Sequence, residues 1–271
     1  MTVTGVRAFQ GAYTNTTASS SDFSIDSGGM FEKLEGAIHD RMLRSDNSSY
    51  VYRSYTQMRT DIRALVAAHP KLFSLTVGEE AFPDIYGPGY NREADCDGSP
   101  CETFIVEIGH KDKLKPETPE IFLSGAVHGN ERVGPTVVYY LIELMAERYD
   151  NGVSSDINFA LRWLMDHRRI IVTPFTNAHG YFKHKREERF IDPNRDFPYM
   201  RGPQECMQTI TARVVNELFR THLFRLAITF HGGTKSISYE WGTPNHKILQ
   251  YHFNSKFLYT EIGSKLFLTR N

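Results

Sequence analysis

The sequence predicts an α/β fold, and three observations carry that prediction. Short apolar segments with β-branched and aromatic content alternate with stretches whose apolar positions recur at helical spacing. Two of those apolar segments, residues 121–127 and 226–230, end abruptly in a histidine followed by glycine. The chain has 271 residues, 40% of them hydrophobic, which is enough to bury one sizeable core, so a single α/β domain is expected.

Along the chain, residues 1–29 are rich in Ser, Thr and Gly with little apolar periodicity and are expected to form a flexible tail. No charged region followed by an apolar core marks a signal peptide there. Met30, Leu34, Ile38 and Met42 recur at helical spacing, and so do Met58, Ile62 and Leu65. The second of these helices is expected to stop before His69-Pro70, because the residue ahead of a proline is pushed out of helical geometry. Residues 72–77 and 104–108 read as strands joined by the turn-rich stretch 82–100. A strand over 121–127 precedes a helix over 136–148, whose apolar face is Val137, Val138, Leu141, Leu144 and Met145. A buried strand follows over 169–172. Residues 202–222, with Met207, Ile210, Val214, Val215, Leu218 and Phe219 in register, read as a sheet-covering helix leading into the strand 226–230.

The net charge is −1 and no basic block stands out, which argues against nucleic acid as the main partner. No apolar run approaches the length of a membrane span. Asn15-Thr-Thr and Asn47-Ser-Ser are glycosylation sequons, and Cys96 and Cys101 bracket the turn CDGSPC, which either closes a disulfide or leaves two free surface thiols. These features point to secretion without fixing a compartment. Cys206 falls in the helical pattern and reads as a packed core thiol.

The chemistry is concentrated in IFLSGAVHGNERVGP, residues 121–135. His128 and Glu131 are three apart, so on a tight turn or first helical turn an imidazole and a carboxylate can face one metal ion. A third ligand must come from elsewhere, and His231, at the end of its own apolar strand, supplies it. Two histidines and a glutamate form the donor set of catalytic zinc sites that keep one position open. The remaining histidines at 39, 69, 110, 167, 184, 222, 246 and 252 lack a partner at ligand spacing and read as surface or core residues.

His128-Gly-Asn-Glu131, then Asn194-Arg195 within DPNRDFPY, then His231 after a strand, in that order, resemble the zinc metallocarboxypeptidases of the carboxypeptidase A/B and N/E type. The resemblance runs over about residues 50–246 and includes the opening YVYRSYTQMRTDIRALVAAHPKLFSLTVGEE. It implies a mixed central sheet with helices on both faces, incomplete at its C-terminal end, and a catalytic domain over 30–246 with a divergent tail at 247–271. One zinc ion would be held by His128, Glu131 and His231, and the substrate would be the C-terminus of a peptide or protein, acted on by a monomer. Pro174, Asn177 and Gly180-Tyr181 match the family's exit loop, with His179 given a turn role.

In the family an arginine ahead of the Asn-Arg pair polarises the scissile carbonyl. The basic run KHKREER at 183–189 is either a solvated loop or the source of that arginine; Arg186 is the choice, with Lys185 and Arg189 as alternatives. Asn194 and Arg195 would bind the terminal carboxylate, since a guanidinium can grip a carboxylate bidentately. Otherwise Arg195 pairs with Asp192 or Asp196 in a surface turn. The family's general-base glutamate lies on a late strand; Tyr259-Thr-Glu261-Ile-Gly resembles its setting but arrives too early in the chain. The sequence therefore also admits a non-catalytic zinc- or peptide-binding relative, or a zinc amidohydrolase of aspartoacylase type, although DPNRDFP and the long helical opening favour the peptidase.

Overall fold

The computed structural model describes residues 2–4, 51–85, 96, 98–150, 156–199, 201–233 and 236–238. The expected helix over Met30 to Met42, both sequons and Glu261 lie outside the described residues. Their elements, in order, are β1 (Thr2–Thr4), α1 (Tyr55–Ala68), β2 (Phe73–Val77), the single turn α2 (Gly78–Ala81), a 3-10 turn (Pro83–Ile85), β3 (Phe104–Ile108), β4 (Glu120–Gly125), α3 (Val133–Asp150), α4 (Asp156–His167), β5 (Arg169–Thr173), α5 (Ala178–Lys183), a 3-10 turn (Pro193–Arg195), α6 (Ile210–Thr221), β6 (Phe224–His231) and β7 (Ser236–Ser238).

The strands form one mixed sheet in the order β2-β3-β5-β4-β6-β1-β7. Strands β5, β4 and β6 run parallel, while β2 and β3 join antiparallel at one side and β1 is antiparallel to β6 at the other. Of the tail expected over 1–29, Thr2–Thr4 therefore belong to the sheet.

Both faces of the central strands are buried, as a sheet covered on two sides requires. Phe104, Val106 and Ile108 of β3, Leu123 of β4 and Ile170 and Val172 of β5 pack beneath α1 and α3, against Met58, Ile62, Val138, Ile142 and Met145. Their alternate neighbours Ile105, Phe122 and Ile171 turn to the other face and meet Ile210, Val214 and Leu218 of α6. The period of two along each strand thus sends successive side chains into two separate cores.

Several element boundaries differ from expectation. The helix expected over 202–222 starts only at Ile210, because Met207 adopts a left-handed φ of 53° and Thr209 caps the helix by accepting from the Ala212 N–H. Cys206 consequently sits in the preceding turn and not in a helix; it is a buried thiol whose Sγ donates to the Gly202 carbonyl at 3.5 Å. His179 lies within α5. Strand β6 runs two residues earlier than expected and includes His231 itself. Helix α4, for which no element was expected, packs Leu161, Leu164 and Met165 against the core at helical spacing and leaves Phe159 62% exposed. Cys96 and Cys101 are joined in a disulfide with their Cα atoms 5.0 Å apart, which decides between the two readings of that pair.

Helix α1 ends where His69-Pro70 predicts, and its packing is open to test. Ile62 is fully buried between α1 and the sheet, so Ile62→Ala should cost about 2–5 kcal/mol and Ile62→Val about 1 kcal/mol. Urea unfolding of the two variants measures this; near-equal midpoints would show that α1 is not packed as described.

Candidate metal centre

The site is built by strand pairing. Strand β4 lies parallel to β6 with Gly125 opposite Phe230, so their carboxyl ends finish side by side. Three residues beyond Gly125 comes His128, and one beyond Phe230 comes His231. Parallel strands present such ends to ligands.

The HGNERVG turn is shaped by what surrounds it. A Cβ on Gly129 would come within 2.0 Å of the Gly180 carbonyl carbon, so the turn lies directly on the backbone of α5. A Cβ on Gly134 would meet the Phe230 carbonyl oxygen at 2.4 Å, which lets the first turn of α3 sit against β6. The neighbouring exit loop of β5 is sewn to that of β4: Thr176 and Asn177 donate their N–H groups to the carbonyls of Gly125 and Ala126, each at 2.9 Å. Asn177 caps α5 through Gly180 N–H at 2.7 Å and also donates from Nδ2 to the Arg186 carbonyl at 3.2 Å. The same carbonyl accepts from Gly129 N–H, so the residue carrying the Arg186 side chain is tied to the metal turn.

Within this frame the predicted ligands converge. Glu131 Oε1 is 2.8 Å from His128 Nδ1 and Glu131 Oε2 is 2.8 Å from His231 Nδ1, while Gly232 N–H donates to Oε2 at 2.9 Å. One donor atom from each of the three residues lies within 4.8 Å of the others, and the two imidazoles are buried. Burial by itself would raise the Glu131 pKa, but the bonds from His128, His231 and the Gly232 N–H overcome it and hold the carboxyl well below the usual range.

Asp192 adds a further carboxylate. Its Oδ1 faces His128 Nε2 at 3.1 Å and accepts from Asn194 N–H at 2.9 Å, and its Oδ2 accepts from Arg186 Nε and Nη2 at 3.1 and 2.9 Å. Burial would raise its pKa, but Arg186, the charge at His128 and the Asn194 N–H hold it down. Arg186 also reaches Glu131 Oε1 at 3.4 Å, which brings this side chain of the basic run to the donor cluster. The fit to zinc is good on chemistry: two imidazole nitrogens and a carboxylate oxygen are gathered at buried strand ends, and a carboxylate orients the far nitrogen of one imidazole.

Pro193, Asn194 and Arg195 form a 3-10 turn directly after Asp192, which caps it. Arg195 is exposed and donates from Nη1 to the Asn194 carbonyl at 2.9 Å. The alternative pairing with Asp192 or Asp196 is not what the structure contains. Asp196 is instead buried and accepts from Gln208 N–H, Thr209 N–H and Thr209 Oγ1 at 3.0, 2.6 and 2.7 Å. Glu188, equally buried, accepts from Ile210 N–H, Thr211 N–H and Thr211 Oγ1 at 2.7, 2.9 and 2.7 Å. These two carboxylates occupy the amino end of α6, where unpaired N–H groups and the helix dipole favour negative charge. From the sequence, Asp192 and Asp196 were expected only as alternative partners of Arg195, and no role was expected for Glu188. These caps come from 13 and 22 positions away along the chain, outside any local capping pattern.

The sequence pattern of the zinc carboxypeptidases matches residues 101–261, more than half of the chain. The chain belongs to the zinc carboxypeptidase family. That match continues past residue 246, where divergence was expected to begin. Human carboxypeptidase D is 24% identical over 225 residues, covering 78% of this chain and 14% of the relative. Chicken (Gallus gallus) carboxypeptidase Z is 26% identical over 191 residues, covering 56% of this chain and 28% of the relative. The chain therefore spans only a small part of these relatives. Among solved structures, carboxypeptidase A from Helicoverpa armigera superposes with a TM-score of 0.53 at 16% identity, covering 87% of this chain and 61% of that one. Thrombin-activatable fibrinolysis inhibitor gives 0.53 at 14% identity, with 83% and 59% coverage. At these identities the likeness is one of fold, and it agrees with the mixed sheet of this zinc carboxypeptidase family member.

The carboxylates at the start of α6 give the test of how the DPNRDF segment is held. Asp196→Ala leaves three donors, two of them buried, without their acceptor and should cost about 2–3 kcal/mol, read as a fall of about 5–10 °C in Tm. A Tm within a degree of the parent would remove Asp196 from that role.

Proposed function

We propose that this chain is a zinc-dependent carboxypeptidase acting on the free C-termini of peptides or proteins. The observation that carries the reading is the convergence of His128, Glu131 and His231 at the ends of two parallel strands, with a donor atom of each within 4.8 Å of the others. Those three residues would hold one zinc ion. Zinc, when bound, supplies Lewis acidity toward a carbonyl and acidifies water.

The chain's own residues do the rest. Arg186, next to the donor cluster and held by Asp192 and Glu131, is placed to present its guanidinium to the oxygen of a scissile carbonyl and stabilise the charge that develops there. Asn194 and Arg195 follow Asp192-Pro193, and their side chains would grip the terminal carboxylate. Fixing that carboxylate fixes which peptide bond lies at the metal, and this is the physical origin of removal from the end of a chain. Asp192 keeps His128 in one orientation by facing its Nε2 at 3.1 Å. We take residues 30–246 as the main part of the catalytic domain, with the family match continuing to residue 261. The Cys96–Cys101 disulfide supports an oxidising compartment for this chain.

Two variants test the parts separately. His231→Ala should abolish stoichiometric zinc binding measured by elemental analysis after dialysis; full occupancy in that variant would remove the site. Arg195→Ala should keep the metal yet weaken binding of peptides with a free C-terminus by about 10–100-fold. In the parent, a peptide with a free C-terminus should be bound and trimmed while its C-terminally amidated counterpart is not; equal binding of both would sink the clamp.

A further inference from the structure

We propose that Arg132, the residue after Glu131, is a positioning residue for the metal turn: its guanidinium, anchored on the Arg53 carbonyl, holds Glu131 facing both histidines. The inference rests on the zinc reading above and extends it to a side chain outside the donor set.

Arg132 has two attachments that belong to different parts of the fold. Its carbonyl accepts from Thr136 N–H at 3.3 Å and from Thr136 Oγ1 at 2.8 Å, so its backbone opens α3. Its side chain runs the other way. Nη2 donates to the Arg53 carbonyl, Nη1 contacts His184 Nδ1 at 3.0 Å, and the guanidinium carbon lies 5.3 Å from the Tyr181 ring centroid. Tyr181 is buried and donates its hydroxyl to the same Arg53 carbonyl at 2.7 Å. One carbonyl thus joins the residue beside the ligand Glu131 to the helix on which the metal turn rests.

That carbonyl is itself immobilised. The Arg53 guanidinium donates from Nε to Asp61 on α1 at 2.8 Å and stacks 3.9 Å from the Tyr139 ring on α3. The anchor is therefore held by two helices, and it constrains a turn that has only short backbone bonds of its own, Glu131 N–H to the His128 carbonyl and Arg132 N–H to the Asn130 carbonyl, each at 3.1 Å. A three-residue turn with a free side chain at its end could rotate; the Arg132 bonds remove that freedom. Pre-orienting the Glu131 carboxylate lowers the ordering that a metal ion must impose on binding.

The test compares the parent with Arg132→Met, which keeps an unbranched side chain and removes the donors, and with Arg132→Lys, which keeps the charge and one donor nitrogen. Zinc affinity is measured by competition with a chromophoric chelator. Cobalt-substituted protein is examined by visible absorption, and unfolding of the metal-free forms is followed by temperature. Arg132→Met should weaken zinc binding about tenfold or more and alter the cobalt bands, with Arg132→Lys in between. A role confined to stability would lower Tm and leave both metal readouts unchanged. Zinc affinity within about twofold of the parent, together with a superimposable cobalt spectrum, would overturn the inference while leaving the zinc site standing. A parent protein that binds neither ion would overturn the zinc reading and this inference with it. If Arg132→Met yields no folded protein, Arg132→Lys decides: a few-fold loss of affinity supports the role and an unchanged affinity rejects it.

Discussion

A single carboxylate, that of Glu131, is shared by two imidazoles that arrive from different strands, and the geometry around the centre follows from the need to make that meeting possible. The oxygens are 2.8 Å from each Nδ1, a distance that tolerates little error in where β4 and β6 end. The parallel register of those strands sets the ends level. Burial of both faces of the sheet then fixes the register, because a slip of one residue would turn Phe122 and Leu123 into each other's cores.

Around this meeting the chain is ordered by charge more than by apolar packing. Between the end of α5 and the start of α6 lies a long segment that includes a 3-10 turn and an isolated bridge between Glu188 and Ile191, and three acidic side chains fasten it. Asp192 takes hold of Arg186 and His128, while Asp196 and Glu188 occupy the N–H groups at the head of α6. The two buried caps do more than stabilise a helix: they pin the segment on either side of Asn194 and Arg195, so the proposed carboxylate clamp sits on a loop with a fixed path. Neutral caps would satisfy the same N–H groups with weaker bonds.

The residue types at the centre were legible in the sequence because each declared itself locally. His128, Glu131 and His231 stand at abrupt ends of apolar runs, and an apolar run that ends in a ligand is visible without knowing where the strand goes. Helix α1 was equally plain from Met58, Ile62 and the His69-Pro70 stop. What was not legible depends on partners far along the chain. No local sign tells that Glu188 will reach Ile210, or that Arg132 will find the carbonyl of residue 53. The start of α6 was misplaced because Met207 carries apolar periodicity while adopting a left-handed backbone, a conformation that composition favours for glycine or asparagine. Helix α4 was missed although Leu161, Leu164 and Met165 stand at helical spacing. The strand directions of the mixed sheet came from resemblance, since periodicity reports which face is buried and not which way a strand runs.

The contact between Gly129 and Gly180 limits how this sequence can vary. A methyl group at position 129 would strike the backbone of α5, and one at position 180 would strike the Asn177 side chain at 2.5 Å, the same amide that caps that helix and holds the Arg186 carbonyl. Neither position can be relieved by a change at the other, since the obstruction in each case is main chain or a committed polar group. Random mutagenesis selected for folded protein should therefore leave both codons for glycine intact while the exposed positions around them drift, and a directed-evolution library that randomises the metal turn would be wasted unless these two are held fixed.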